Sequence, residues 1–333
     1  MQSIRNTLEK TLNLDQLKSF GLVIETGSFS AAADRLGLTQ PAVSLQIRQL
    51  ERKLAVRLVE RVGRQVKATP AGAALLLHAQ HIETAVENAI DALADHTSGV
   101  TGRVRLGTGA TACLYFLPGL LRGLRERFPA LGIVVSTGNT DDQVRKVEEN
   151  SIDLALVTLP AAGRSLSVVP VLDDEFVAIG RGDLAPLKAR VGPADLAALP
   201  LVLFEPAANT RKLVDRWFAA EGLQPQPVME LGSVEAMKEM VAAGLGYGIV
   251  PRMSMAGRGA HPGLKTSRLS PGMHRTLAIV IRRDKPVSKA LRVVLDAILA
   301  AGKKGSSAFT PAFTPAVIPA VIPAVTPAKR PKT

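Results

Sequence analysis

The sequence predicts an α/β protein in which a small helical N-terminal domain precedes a long helix and a larger body of two α/β lobes. Three observations predict this fold class. Residues 27–51 alternate short helical patterns with turns, residues 70–98 form one uninterrupted helical pattern, and residues 103–282 alternate strands with helices. The 333 residues are 47% hydrophobic and 21% charged, which is enough for a small domain and one or two larger ones with real cores.

The first two helices are short and end at glycines. Apolar residues at positions 17, 20 and 24 predict a first helix that ends near Gly27. Ala31, Ala32, Ala33 and Leu36 predict a second helix that stops at Gly37.

A third helix is expected to begin near Gln40, because Thr39 can cap its start and Pro41 suits its first turn. Apolar residues at positions 43, 47, 50 and 54 lie on one face of a 3.6-residue period. The other face carries Ser44, Arg48, Gln49 and Arg52.

Two helices joined by a tight glycine turn form a helix-turn-helix, whose second helix lies in the major groove of DNA. Glutamine, serine and arginine at the start of that helix can bond to base edges and phosphates. The alternative is a generic three-helix core with a polar outer face, and the capped helix and turn at this spacing favour DNA binding.

A hairpin wing is predicted after the third helix. Gly63 separates two β-prone runs within residues 57–72, with Arg61 and Arg64 near the expected tip. Basic hairpin tips suit contact with phosphates or with the minor groove. An ordinary solvated hairpin is the alternative.

Residues 13–72, NLDQLKSFGLVIETGSFSAAADRLGLTQPAVSLQIRQLERKLAVRLVERVGRQVKATPAG, resemble the N-terminal domain of LysR-type transcriptional regulators, and the order of later segments fits that family through about Ala301. Leu45 stands where many members have arginine, which puts in doubt which bases are read. The resemblance implies DNA contacts by Thr39, Gln40, Pro41, Ser44, Arg48 and, in the wing, Arg64.

A long linker helix is predicted between the wing and the body. Thr69 and Pro70 open it and Gly99 follows its end, giving about 27 residues and roughly 40 Å. A heptad seam predicts pairing of two such helices, which would place two recognition helices at two half-sites. Packing of the seam on its own body is the alternative. The seam comprises Leu75, Ala79, Ile82, Val86, Ala89 and Leu93.

The body is expected to form parallel sheets covered by helices, in two lobes joined by two crossings. The strand patterns are RVRLGTG, GIVVSTG and LALVTL in the first lobe and FVAIG, LPLVLFE, VMELGS and GYGIVP in the second. The run TLAIVIR and a last helix, about Val287 to Ala300, are expected to return to the first lobe. This arrangement resembles the periplasmic-binding-protein-like effector domain of the LysR family.

Small polar groups follow the strand ends, where α/β lobes bind ligands. Each of them could equally be an ordinary helix cap, and only convergence from both lobes favours a ligand site. The ligand's charge stays open because no arginine can be placed there. The expected effector residues are Thr108, Gly109, Thr111, Gly138, Asn139, Thr158, Asn209, Thr210 and Ser233.

Enzyme function is not expected. Gly107, Gly109 and Ala112 fit a weak dinucleotide-binding pattern, but the acidic residue that should end the next strand is missing. None of the five histidines lies beside a recognisable nucleophile or zinc motif, and His78 and His81 on the linker helix lack a third ligand. We therefore expect no cofactor and no metal.

Charge and cysteine content agree with a cytoplasmic DNA-binding protein. The net charge of +12 is concentrated at the two ends, with +5 in residues 1–70 and +5 in residues 303–333. The single Cys113 excludes an intramolecular disulfide and argues against the peroxide-sensing branch of the family, which uses two cysteines. The polar first residues and the lack of a long apolar run predict neither a signal peptide nor a membrane span.

The C-terminal segment, residues 303–333, contains five tandem tetrapeptides with proline in each, which predicts a disordered tail. The expected domains are therefore residues 1–69, 70–98, 99–302 and 303–333. The expected partners are double-stranded promoter DNA, a small-molecule effector, a second or further copies of the chain as homodimer or homotetramer, and RNA polymerase. An architectural DNA-binding protein whose body only oligomerises is the alternative, and binding of a small molecule would distinguish the two.

Overall fold

The computed structural model describes residues 12–94, 99–183 and 187–305. These residues divide into two compact units: the first holds the described residues up to 99 together with 149–151, and the second holds the described residues from 100 to 305 except those three. The predicted tail from residue 306 onward lies outside the described residues.

The first unit is a winged helix-turn-helix followed by the linker helix, as predicted. Its core joins Phe20, Val23, Ile47 and Leu50, which are at most 1% exposed. In chain order it comprises α1 (Leu14–Thr26), α2 (Phe29–Leu36), α3 (Gln40–Leu54), the antiparallel hairpin of β1 (Val59–Val62) and β2 (Gln65–Ala68), and α4 (Pro70–Ala94).

The linker helix α4 uses part of its seam inside its own unit. Ala79 is buried, and Leu75 and Ile82 pack against the core formed by the first three helices. Farther along the helix Val86 is half-buried and Ala89 is exposed. The first half of the seam is thus used within its own chain, although it packs on the helix-turn-helix and not on the two-lobed body. The Leu93 side chain lies outside the description.

The second unit contains the two lobes around one continuous, curled sheet. Lobe 1 comprises β3 (Gly102–Thr108), α5 (Ala110–Tyr115), α6 (Leu117–Arg127), β4 (Leu131–Thr137), α7 (Thr140–Glu148), β5 (Leu154–Thr158), the first part of β6 (Leu166–Arg181), β12 (His274–Arg282) and α11 (Lys289–Gly305). Lobe 2 comprises the rest of β6, β7 (Arg190–Val191), α8 (Pro193–Ala197), β8 (Leu201–Phe204), α9 (Asn209–Ala219), β9 (Met229–Leu231), α10 (Val234–Ala242), β10 (Tyr247–Pro251), two 3₁₀ turns (Arg252–Met255 and Gly257–Gly259) and β11 (Leu264–Leu269).

The sheet is mixed, so the expectation of parallel sheets is confirmed only within each lobe. The strand order is β4-β3-β5-β12-β6-β10-β8-β9, in which β12 runs antiparallel to β5 and β6, and β10 antiparallel to β6. Strands β3, β4 and β5 are parallel, as are β8, β9 and β10. Crossover helices impose a parallel direction only within each lobe, and the strands that join the lobes run the other way.

The first crossing is a single 16-residue strand, β6, where the sequence predicted only its last part. Residues 166–175 pair with β12 in lobe 1, and residues 176–181 pair with β10 and β11 in lobe 2. The return of β12 and α11 to lobe 1 is confirmed, because Leu277 and Ile279 share a core with Leu291 and Ile298.

Three features of the second unit do not follow from the sequence patterns given above. Residues 110–127 form two helices, α5 and α6, which are separated at Phe116, since Pro118 lies in the first turn of α6. The last helix continues to Gly305, so residues 303–305 are helical and not part of an irregular tail. The short strands β7 and β11 were not predicted, because neither carries a pattern that stands out along the chain.

Candidate DNA-reading helix and effector cleft

The recognition helix α3 has the predicted start and the predicted two faces. The Thr39 hydroxyl accepts a hydrogen bond from the Ala42 amide at 3.4 Å and caps the helix. Val43, Ile47 and Leu50 are buried, so the opposite face is turned outward. The predicted DNA-contacting residues Thr39, Gln40, Pro41 and Arg48 are exposed, and Ser44 is half-buried.

Two side-chain hydrogen bonds fix the orientation of α3 on α1, and the sequence did not predict them. Gln16 Nε2 donates to Gln49 Oε1 at 3.0 Å, and the Ser19 hydroxyl donates to Gln46 Oε1. Both pairs join residues about thirty positions apart, so no local pattern along the chain could have shown them. They leave the first turn of α3 free for other partners.

The Glu51 carboxylate, near the end of α3, binds the start of the wing. Glu51 Oε1 accepts hydrogen bonds from the backbone amides of Leu58 at 2.7 Å and Val59 at 3.3 Å, at the start of the hairpin. Arg61 in β1 and Arg64 in the turn beside Gly63 lie near the hairpin tip, as predicted, and both are exposed.

In lobe 1 the carboxyl ends of three parallel strands meet at one edge. The Gly138 amide after β4 donates to the Thr108 carbonyl at the end of β3, at 3.0 Å. The Thr140 hydroxyl donates to the Thr158 carbonyl at the end of β5, at 3.1 Å. The structure therefore brings Thr108, Gly138 and Thr158 together, as the sequence predicted.

Several of the predicted effector side chains are occupied by the fold itself. The Thr108 hydroxyl is fully buried and donates to the Leu156 carbonyl at 2.9 Å. Asn139 Oδ1 caps α7 by accepting from the Asp142 amide at 2.8 Å, and the Ser233 hydroxyl accepts from the Ala236 amide at 3.5 Å at the start of α10. The capping alternative thus holds for Asn139 and Ser233.

Two of the predicted site residues, one from each lobe, meet across the lobes. Asn209 Nδ2, in the first turn of α9, lies 3.5 Å from the carbonyls of Thr158 and Pro160 in lobe 1. Lys212 Nζ donates to Asn209 Oδ1 at 3.2 Å. Asn209 and Thr158 are therefore the predicted residues that face each other across the cleft.

The remaining predicted residues lie at the starts of two helices. Gly109 is the N-cap of α5 and Thr111 is in its first turn, half-buried. Thr210 lies in the first turn of α9 and is 8% exposed. These helix starts belong to different lobes, so each wall of the cleft receives part of the predicted set.

Gln143 was not predicted, although it lies behind the lobe 1 edge. Its side chain is fully buried, and Nε2 has no hydrogen-bond partner among the described residues. A Cβ atom on Gly138 would lie 2.5 Å from this nitrogen, so a larger residue there would force the amide to move. A glutamine on an otherwise polar helix gives no sequence signal for burial.

A second group that sequence reasoning missed joins the lobes at α5 and α10. The Tyr115 hydroxyl donates to Glu235 Oε1, and Lys238 Nζ lies 3.2 Å from the same hydroxyl. Burial and the neighbouring Glu235 carboxylate raise the pKa of Tyr115 above its usual value, so the phenol is neutral and able to donate. Glu235 and Lys238 are three residues apart, a spacing that in sequence is typical of a solvated helix face.

The two strands that cross between the lobes are tied by a buried ion pair. Asp174 on β6 and Arg275 on β12 are 5% and 6% exposed, and Arg275 Nη2 lies 2.9 Å from Asp174 Oδ2. Asp174 Oδ1 also accepts from the Met253 amide at 3.1 Å. A buried charge that loses its partner is costly, so removal of either residue would weaken the contact between β6 and β12.

Within the described ranges, no group of three or more metal-ligating side chains lies together. In the same ranges no helix is long and apolar enough to cross a membrane.

Two family models match the chain and together cover most of it. The model of the bacterial regulatory helix-turn-helix protein, lysR family, matches residues 14–73, and the model of the LysR substrate binding domain matches residues 97–303.

Curated relatives match over nearly their whole length. The transcriptional activator CmpR of Synechocystis is 29% identical over 87% of this chain and 96% of its own. The regulator CbbR of Xanthobacter flavus is 31% identical over 87% and 88%, and a probable hydrogen peroxide-inducible genes activator of Mycobacterium avium is 32% identical over 80% and 86%.

Solved structures share the fold. CbnR, a LysR family transcriptional regulator, superimposes with a TM-score of 0.70 at 22% identity, covering 87% of this chain and 99% of CbnR. A full-length OxyR variant from Pseudomonas aeruginosa superimposes with a TM-score of 0.67 at 23% identity, covering 86% of this chain and 95% of its own.

The exposed recognition helix, the two-lobed body and the match of both family models lead to one conclusion. The chain belongs to the LysR family: it is a DNA-binding transcriptional regulator with an effector-binding domain, and not an enzyme.

Proposed function

We propose that this regulator reads its operator through the first turns of α3 and through the wing. The observation that supports this is the outward face of α3, where side chains that can bond to bases are exposed on a helix held by its own core. Arg61 and Arg64 in the wing would contact phosphates or the minor groove. The proposed DNA-binding residues are Thr39, Gln40, Pro41, Ser44, Arg48, Arg61 and Arg64.

Gln40→Ala and Ser44→Ala test this proposal. Each should weaken specific binding by about 1 to 3 kcal/mol, because a side chain that reads a base edge is lost. The measurement is a gel shift with an operator chosen by selection from random DNA with the unaltered protein. Gln224→Ala, an exposed glutamine of the second unit, is the matched control. Unchanged affinity in both variants would refute the assignment.

We also propose that copies of the chain pair through the linker helix. The supporting observation is a groove of about 760 Å³ between α1 and α4, whose lining includes Leu22, Leu76 and Val86. Ile90, one residue beyond Ala89, is 61% exposed, so apolar surface remains on the helix after its first half has packed on its own unit.

We propose domain boundaries near residues 69, 98 and 305, and location in the cytoplasm, where bacterial DNA lies.

The effector is proposed to bind between the lobes, near the edge where Thr158 and Asn209 face each other. We assign the backbone at Thr108, Gly109, Gly138, Asn139 and Ser233 to this cleft, together with the side chains of Thr111, Thr158, Asn209 and Thr210. A thermal-shift screen of metabolites tests it. Ligands that bind the cleft should raise the unfolding temperature of the second unit, and Asn209→Ala should reduce that rise. Gln224→Ala, on the surface of the same unit, should not. A hit that Asn209→Ala leaves unchanged would move the site elsewhere.

A further inference from the structure

Lys238, on α10, carries a buried positive charge. The residue is 3% exposed, and its ammonium donates to the carbonyls of Gly259 at 2.8 Å and Ser254 at 3.1 Å. It also lies 3.0 and 3.1 Å from the two carboxylate oxygens of Glu235. Because an ammonium leaves water at a high cost unless it is well paired, this network holds α10 against the two 3₁₀ turns after β10.

Tyr115, the last residue of α5, reaches into this network from lobe 1. Its hydroxyl donates to Glu235 and lies 3.2 Å from Lys238 Nζ, which is 5.4 Å from the centre of the tyrosine ring. A Cβ atom on Gly259 would lie 2.8 Å from Tyr115 Cε1 and 2.4 Å from the Ser254 carbonyl. Glycine is therefore required there, and it lets the backbone of lobe 2 lie close to the half-buried tyrosine ring of lobe 1.

The two helices joined in this way both carry proposed effector residues. Gly109 and Thr111 are at the start of α5, and Ser233 is the N-cap of α10. Helix α5 has six residues and is about 9 Å long, so a contact at Tyr115 fixes the position of its other end.

We propose that Tyr115, Glu235 and Lys238 form a cross-lobe clamp that positions α5 against α10 and so sets the distance between the two walls of the effector cleft. This inference rests on the proposed effector cleft. The three side chains are positioning residues, since their assigned partners are one another and the turns of lobe 2. Lys238 and Glu235 stabilise lobe 2 by themselves, and the Tyr115 hydroxyl is the atom through which that lobe holds α5.

If these residues act as a clamp, a substitution in one lobe should raise hydrogen exchange in the other lobe. Tyr115→Phe keeps the ring and removes the hydroxyl, and it should raise amide hydrogen exchange of α10 and residues 252–259 about tenfold, because a hydrogen bond to a charged partner is lost. Glu235→Ala, made in lobe 2, should raise exchange of α5 in lobe 1 by a similar factor. The double variant should exchange at α5 no faster than Glu235→Ala alone.

The measurement is hydrogen-deuterium exchange with mass spectrometry on the full chain, without any effector. Tyr247→Phe, which alters the chain's other tyrosine within lobe 2, is the matched control and should leave α5 unchanged. Exchange that rises only in the lobe that carries the substitution would overturn the clamp, as would no change in either lobe. Because no effector is present, this outcome would leave the proposed cleft untouched, whereas a failed ligand screen would leave the clamp standing.

Discussion

The recognition helix and the edge of the effector cleft present their polar side chains in different ways. On α3 the Gln40 and Arg48 side chains are exposed on a helix whose other face is buried in its own core. At the cleft, the Thr108 hydroxyl is fully buried and Asn139 and Ser233 cap helices. Small polar residues at strand ends thus build the walls of the cleft before they can touch a ligand.

The linker helix α4 shows a second contrast, between apolar residues that pack within the first unit and apolar residues that remain available to a second copy of the chain. The linker helix packs Leu75, Ala79 and Ile82 on its own unit and leaves Val86 half-buried beside the groove between α1 and α4. If that groove pairs two copies, the recognition helices act together, and DNA affinity depends on a surface far from the bases.

Val86→Glu should have the largest effect. Charge in the groove should separate the linker helices, and operator affinity should fall by about 10²-fold or more while nonspecific binding changes little, because two half-sites are no longer bound together. Sedimentation and gel shifts measure this. Ala85→Glu places the same charge on an exposed neighbouring position and is the control. A Val86→Glu protein that keeps its oligomeric state would remove the groove from the interface.

Gly72→Ala should have the next largest effect. Gly72 lies in the first turn of α4, and a Cβ atom there would lie 2.0 Å from the Leu58 carbonyl at the start of the wing. Moving the helix from the hairpin should cost roughly 1 to 3 kcal/mol of stability, as other overpacked sites do. Urea unfolding followed by circular dichroism measures it.

Ala73→Gly, at the exposed position next to Gly72, is the comparison for that experiment. It should cost roughly 1 kcal/mol or less, from helix propensity alone. A Gly72→Ala protein as stable as the unaltered chain would mean that the wing has room to shift.

The sequence predicted the elements that have local signals, and it did not predict the pairings between distant segments. The helices of the first unit were predicted nearly to the residue, since Thr39, Gly37 and Gly27 mark their ends locally. The parallel strands of each lobe were also predicted, because strand and helix patterns alternate along the chain. The antiparallel crossing by β6 and β12 was not, since pairing of residues 166–175 with residues 274–282 leaves no local trace.

The site shows the same limit. The meeting of the strand ends of lobe 1 was predicted from topology, whereas the contact of Asn209 with the Thr158 carbonyl was not predicted as a pair. The burial of Gln143 and Lys238 could not be, because both residues lie in helices with many charged neighbours and are covered by segments distant in sequence.

Thr108→Val makes the smallest change and tests the cleft directly. Valine has nearly the shape of threonine, so the variant removes the hydroxyl and leaves the Leu156 carbonyl without that donor. The free energy of unfolding should fall by about 1 kcal/mol, the usual worth of a buried neutral hydrogen bond. Thr111→Val, at a half-buried position, should cost less than about 0.5 kcal/mol. Urea unfolding of the full chain compares the two. If both variants are as stable as the unaltered protein, the Thr108 hydroxyl is not needed by the fold and is free to act on a ligand, and the contrast between recognition helix and cleft would no longer hold.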